Sequence, residues 1–125
     1  LVPRIIKTER RMTINEYFNQ YYDVLCNGDL SNLDQFFHSD SPFLQGVKSQ
    51  YEAIRKQLEM TIKLESIELV AKQDDLLVIR DKILFEGNKD GAIKKSRTGN
   101  LHVMTKKNDD EWKVQSTSPL TVESA

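Results

Sequence analysis

The feature that most constrains this chain is a change of hydrophobic period near Lys63: apolar residues recur at helical spacing before it and alternate after it. Ile14, Tyr17, Phe18, Tyr21, Tyr22 and Leu25 form one broad stripe at helical spacing. Ahead of that stripe, Thr13-Ile14-Asn15-Glu16 is a capping box, with Met12 and Tyr17 placed as a hydrophobic staple. Asn27-Gly28 predicts a helix end in left-handed geometry. A short second helix is expected from about Leu30 to Phe37, burying Leu33, Phe36 and Phe37 and broken by Ser41-Pro42. A second capping box, Ser49-Gln50-Tyr51-Glu52, predicts a third helix that carries Tyr51, Ile54, Leu58 and Ile62 inward.

Beyond Lys63 the alternation predicts strands. From Leu64 to Lys72, Ile67, Leu69 and Ala71 share one face. Leu76 to Glu86 is the most apolar strand, with Leu77, Ile79, Ile83 and Phe85 in step. A long strand is expected from about Ile93 to Lys106 and a last one from Glu111 to Ser118, with Trp112 packed between sheet and helices. Asp74-Asp75, Asn88-Lys89-Asp90-Gly91 and Asn108-Asp109-Asp110 are short turns, so the four strands form an antiparallel meander. The expected class is α+β: three N-terminal helices packed on a curved, mainly antiparallel sheet.

Composition narrows the function classes. With 125 residues the chain has room for one domain. A net charge of −1 gives no electrostatic footprint for nucleic acid and no basic face for a membrane surface. No apolar run is long enough to span a membrane. The lone Cys26 has no internal disulfide partner and reads as a reduced packing residue, which fits a cytoplasmic location. Leu1-Val2-Pro3-Arg4 matches the recognition half of a thrombin site, and Met12 would make a natural start. Residues 1–11 are therefore expected to be an extension or vector-derived, with a single domain over 12–125.

Tyr21-Tyr22-Asp23-Val24-Leu25-Cys26-Asn27-Gly28-Asp29-Leu30 resembles the first-helix exit of the nuclear transport factor 2-like superfamily. That group includes ketosteroid isomerases, SnoaL-type polyketide cyclases and the association domain of a calmodulin-dependent kinase. Phe36-Phe37-His38, Gly46-Val47-Lys48-Ser49 and Asp110-Glu111-Trp112-Lys113-Val114 are similar to its second-helix ending, third-helix opening and last hairpin. The resemblance covers about residues 13–118 and implies a cone-shaped fold, which hosts enzymes, carriers and scaffolds alike. It also implies that Tyr21 stands where the isomerases place an oxyanion donor. Their proton-shuttling aspartate falls in Ser41–Gly46, which holds no carboxylate, and Gln45 has no useful basicity. Their second acid falls near His102 and Val103, where no Asp stands.

Asp81 is the residue that breaks the pattern, since it interrupts the apolar face between Ile79 and Ile83. A carboxylate buried there must be paired or give up its charge. Arg97, on the same strand parity as Ile93, Leu101 and Val103, is the expected partner across the concave face. The alternative is a bulge that turns both to solvent. Tyr17, Tyr21, Phe43, Leu58, Asp81, Arg97 and His102 are the candidate pocket residues, with Asp81 and Tyr21 as candidate acid–base groups. Phe43, Leu58 and Met104 are the side chains large enough to fill such a pocket. His38 and His102 lack further nearby ligands, so neither a metal nor a cofactor is expected. Lys94, Lys95 and Arg97 read as a solvated strand end.

Three functions fit these residues: a domain binding a small hydrophobic ligand, an enzyme using Asp81 and Tyr21, and a dimeric scaffold. Leu76, Val78 and Leu84 lie opposite the core face of their strand, which predicts a homodimer through the sheet.

Overall fold

The capping box forms as its residues dictate. Glu16 N donates to Thr13 Oγ1 at 3.1 Å and Thr13 N donates to Glu16 Oε1 at 3.1 Å, opening helix α1 over Ile14–Asn27. All six stripe residues are buried on one side of α1. The computed structural model describes residues 4–7, 10–106 and 111–125, with Arg4–Lys7, Arg10 and Arg11 by backbone alone. Strand β1 (Arg4–Lys7) pairs antiparallel with β2 (Arg10–Thr13), which runs directly into α1. The expected turn at Asn108–Asp110 lies outside the described residues.

Helix α1 ends at Gly28, whose φ of −85° is extended and not left-handed as expected. Glycine is required there by space: a Cβ would stand 2.9 Å from Val24 Cα. The expected second helix is a 3-10 turn over Leu30–Gln35, capped by Asp29, whose carboxylate accepts from Ser31 N at 2.9 Å. Helix α2 runs Leu44–Gln57, five residues ahead of the box expected at Ser49. Ser41 explains the shift: its hydroxyl accepts from Phe43 N and its carbonyl from Leu44 N, so the chain already turns there. Ser49 is then mid-helix, with its hydroxyl accepting from Gln45 Nε2. Leu58 takes extended geometry and ends α2, so Ile62 belongs to the sheet.

The sheet is a meander of β3 (Glu59–Gln73), β4 (Leu76–Lys89), β5 (Ala92–Lys106) and β6 (Trp112–Ser124), antiparallel throughout in that order. Asp90 and Gly91, both at positive φ, close the β4–β5 hairpin. Two bulges in β3 correct its expected face. Met60, Ile62 and Leu64 point inward; an irregularity before Ser66 changes parity so that Ile67 and Leu69 take over. A second irregularity after Leu69 turns Ala71 out to solvent.

The helices cover the inward face of the sheet. Leu77, Ile79 and Ile83 from β4 meet the α1 stripe and Leu33, Phe36 and Phe37 in one core. Tyr17 and Tyr21 each make aromatic contacts with Phe36, at centroid distances of 5.2 and 5.8 Å. One end of the cone is pinned by hydrogen bonds. Val114 N donates to Phe36 O at 2.7 Å, His38 N to Val114 O at 3.1 Å, and His38 Nε2 to Thr105 O at 2.7 Å. The other end, between α2 and the far halves of β5 and β6, is open.

Two glycines test this account of the helices. Gly28→Ala is expected to lower stability by about 1–3 kcal/mol through overpacking on Val24. Gly46→Ala, in the first turn of α2 with nothing within 4 Å of a new Cβ, should raise stability by about 0.5–1 kcal/mol. Urea unfolding midpoints of the two variants should therefore move in opposite directions.

Candidate functional site

The site is built on a carboxylate that the core would otherwise exclude. Asp81 keeps the inward parity of Leu77, Ile79 and Ile83 and is 2% exposed. Three donors compensate it. Tyr22 from α1 donates its hydroxyl to Oδ2, Asn100 from β5 donates Nδ2 to Oδ1 at 3.0 Å, and His102 places Nε2 2.7 Å from Oδ2. His102 lies on β5 beside Ile79 and Asn100 beside Asp81, so strand register alone brings these groups together. Facing a carboxylate, His102 Nε2 must carry a proton, and that fixes the neutral tautomer. Its other nitrogen, Nδ1, lies 2.8 Å from Thr117 Oγ1 on β6. Phe18 stacks on the imidazole at 4.5 Å between centroids, holding its plane.

Above this network opens a cavity of about 580 Å³. One wall is apolar and aromatic: Tyr21 and Tyr22 of α1, Phe43, Val47 and Tyr51 at α2, and Ile83 and Phe85 of β4. The opposite wall is the inward face of β5 and β6, and it is polar: Ser96, Thr98, Asn100, His102 and Thr117. Among the described residues, no lysine, arginine or carboxylate lines it.

The structure thus separates the expected pocket residues. Tyr21, Phe43 and His102 line the cavity, and Asp81 lies behind its wall under Asn100 and His102. Tyr17 is in the core, donating its hydroxyl to Phe36 O at 2.5 Å. Leu58 packs beside Gly87, and Met104 is fully buried away from the wall.

The expected Asp81–Arg97 contact is overturned. Arg97 pairs with Leu84, on the outward face, and its Nε donates to Glu65 Oε1 at 2.9 Å. That hydrogen bond holds the Glu65 carboxyl below its ordinary range and raises Arg97 in turn. The face of β5 had been chosen by its apolar residues, Ile93, Leu101 and Val103, which in fact face outward; the polar residues face the cavity. Tyr22, Asn100 and Thr117 were not singled out in the sequence. The even-numbered run Ser96, Thr98, Asn100, His102 was the signal, since a polar face opposite an apolar one marks a lined cavity.

Four tyrosines report the dryness of this region. Burial pushes the hydroxyls of Tyr17, Tyr21 and Tyr22 well above their ordinary range, the carboxylate of Asp81 adding to it at Tyr21 and Tyr22. Tyr51 is pushed up to about 12, again chiefly by burial. Burial also raises the half-buried Cys26 thiol above its ordinary range, which disfavours the thiolate. Among the described residues, no group of three His, Cys, Asp or Glu side chains is placed to hold a metal, and no helix is long and apolar enough to cross a membrane.

Helices over one face of a four-stranded antiparallel meander, with a cavity between them, define the nuclear transport factor 2-like cone. Solved structures agree on the fold. A nuclear transport factor 2-like superfamily protein from Salmonella enterica serovar Typhimurium superposes with a TM-score of 0.74 at 17% identity, covering 86% of this chain and 87% of that one. The β subunit of benzoate 1,2-dioxygenase from Burkholderia mallei superposes at 0.70 and 12% identity, covering 92% and 89%. No curated protein sequence matches the chain. The sequence profile of the C-terminal domain of the anti-sigma-I factor RsgI9 matches residues 9–124, and the chain belongs to that family.

Removing the carboxylate while its donors remain should be severe. Asp81→Ala is expected to cost about 3 kcal/mol, because Tyr22, Asn100 and His102 lose their shared acceptor inside the core. A urea midpoint equal to that of the parent would refute the accounting. The tyrosines give a second prediction. Tyr51 holds its proton more tightly when folded, so its contribution is complete below about pH 10, the unfolded value, and is lost as pH rises towards about 12. Stability should fall across that alkaline window, and Tyr51→Phe should make the fall shallower in pH-dependent thermal melts.

Proposed function

We propose that this chain is a small-molecule-binding domain, and that occupancy of its cavity is the signal an anti-sigma factor carrying it would receive. The observation that carries this reading is the uncharged, two-sided cavity of about 580 Å³, aromatic on the helix side and lined with hydroxyl, amide and imidazole groups on the sheet side. Such a lining favours a neutral ligand with an apolar body and one polar edge, because an anionic or cationic group would lose its hydration with no opposite charge to meet it.

The same geometry favours binding over turnover. Asp81 has its two oxygens taken by three donors and its side chain is fully shielded, so a carbon-bound proton on a ligand is out of its reach. Tyr21 lines the cavity, and its hydroxyl proton is held firmly, which suits a donor more than a base. The match to an anti-sigma factor domain supports a regulatory setting. A homodimer through the outer sheet face belongs to the same reading, since Leu76, Val78, Leu84, Leu101 and Val103 are only half-buried there.

Native mass spectrometry of freshly purified protein tests both parts, combined with thermal shift. The expected result is a dimer whose melting temperature rises with 2-tetralol but not with 2-naphthoic acid. Thr98→Phe, which fills the cavity from the β5 wall, should abolish the rise. A bare dimer indifferent to every neutral ring compound would instead leave the scaffold reading, and a monomer would remove the sheet interface.

A further inference from the structure

Among the hydroxyls that line the proposed cavity, one is hydrogen-bonded to an imidazole. Thr117 lines the cavity, and its Oγ1 lies 2.8 Å from His102 Nδ1. His102 Nε2 is committed to Asp81 at 2.7 Å in either charge state, so any change of protonation falls on Nδ1. When the imidazole is neutral, Nδ1 is an acceptor and the Thr117 hydroxyl must donate to it, leaving only oxygen lone pairs towards the cavity. When the imidazole is protonated, Nδ1–H donates to Oγ1, and the hydroxyl hydrogen is free to turn towards the cavity. One proton on a buried ring thereby converts a cavity acceptor into a cavity donor.

We propose that Thr117 is the specificity-determining residue of this cavity, selecting ligands by hydrogen-bonding polarity under the control of the charge on His102. The inference rests on the cavity being a binding site. A carbonyl-bearing ligand, which only accepts, is taken by the protonated form. An alcohol, which donates or accepts, is taken by both. By linkage, a carbonyl ligand binds with proton uptake at His102.

The surroundings of His102 suit this role. Asp81 faces it from β4, Tyr22 from α1 lies 3.3 Å from Nε2, and Tyr21 makes an edge contact at 6.4 Å between centroids. Phe18 covers one ring face. Tyr51 of α2 acts on the same carboxylate electrostatically. The charged neighbour is thus a carboxylate, and the tyrosines, their hydroxyls raised well above the ordinary range, keep their protons at ordinary pH. Among the described residues, Thr117 is the hydrogen-bond partner of His102 that lines the cavity while standing outside the Asp81 network.

The probes are 2-tetralone and 2-tetralol, matched in shape and differing in the polar group. Affinities are measured by calorimetry from about pH 5 to about pH 9, the range over which an imidazole changes charge. In parallel, the ring nitrogens of His102 are followed by NMR in protein labelled at its two histidines. The expected result is that tetralone affinity falls about tenfold as His102 deprotonates, the equivalent of one hydrogen bond, while tetralol changes less than about twofold. Thr117→Val should flatten the tetralone profile and Thr117→Ser, which keeps the hydroxyl, should restore it. Parallel pH profiles for the two probes in the parent, or an unchanged slope in Thr117→Val, overturn the proposal. Failure of both probes to bind overturns the cavity reading instead. The hydroxyl–imidazole coupling is then judged by NMR alone, and a His102 titration unmoved by Thr117→Val overturns it as well.

Discussion

The packing of helix on sheet depends on how one buried carboxylate is compensated. Asp81 takes a position where the pattern of β4 calls for a hydrophobe, and its donors come from α1 and β5, with β6 attached one step further through Thr117. Each donor fixes a relative position: the rotation of α1 about its axis through Tyr22, and the register of β5 against β4 through Asn100 and His102. A one-residue slip of β5 would remove both strand donors at once and leave a bare charge in the core, a penalty well beyond that of misplacing a methyl group. Well-packed hydrophobes could match the stability of this network, but they would tolerate neighbouring registers more readily. The carboxylate therefore contributes uniqueness of arrangement more than net stability.

That constraint also explains the asymmetry of the cone. The pinned end, where Phe36, His38 and Val114 exchange backbone hydrogen bonds, is filled by Tyr17, Phe18, Phe36, Phe37 and Leu77. Towards the other end the inward side chains of β5 shorten from Met104 and His102 to Thr98 and Ser96, and the strand stops filling the space beneath α2. A register shift between Gly99 and Asn100 and the Pro119 opposite Asn100 bend β6 at the same level. Closing such a gap with larger apolar residues would gain roughly 1 kcal/mol or more for each methyl-sized void filled. Keeping it open, and polar on one side, forgoes that stabilisation.

Much of this architecture was legible in the residues, and the failures have local causes. The capping box at Thr13, the stripe of α1, the meander and the inward face of β4 with its intruding Asp81 all follow from spacing. The start of α2 did not, because Ser41 turns the chain through its backbone and hydroxyl with no pattern that distinguishes it from a breaker. Strand β3 misled through its bulges, since each extra residue reverses parity and alternation is blind to where that happens. The face of β5 was inverted because hydrophobic residues were taken as inward, a rule that holds for a filled core and fails for a strand whose inner face lines a polar wall. Arg97 was therefore assigned to Asp81; His102 was picked out as a pocket residue but not as the carboxylate's partner, and Asn100 and Tyr22, one position beyond Tyr21, passed unnoticed.

This last failure carries a more general point about reading chemistry from a cone of this kind. A buried acid draws the eye towards a cationic partner, as at a charged catalytic site. Here the partners are a phenol, an amide and an imidazole, groups that satisfy a carboxylate while leaving the surrounding cavity without a fixed charge. An arginine in their place would have left a permanent field in the cavity and selected anions. With His102 instead, a ring that itself lines the cavity meets the carboxylate through one nitrogen and Thr117 through the other, so no permanent cation stands in the wall. Histidine in place of arginine thus satisfies the buried acid while keeping a fixed positive charge out of the cavity wall.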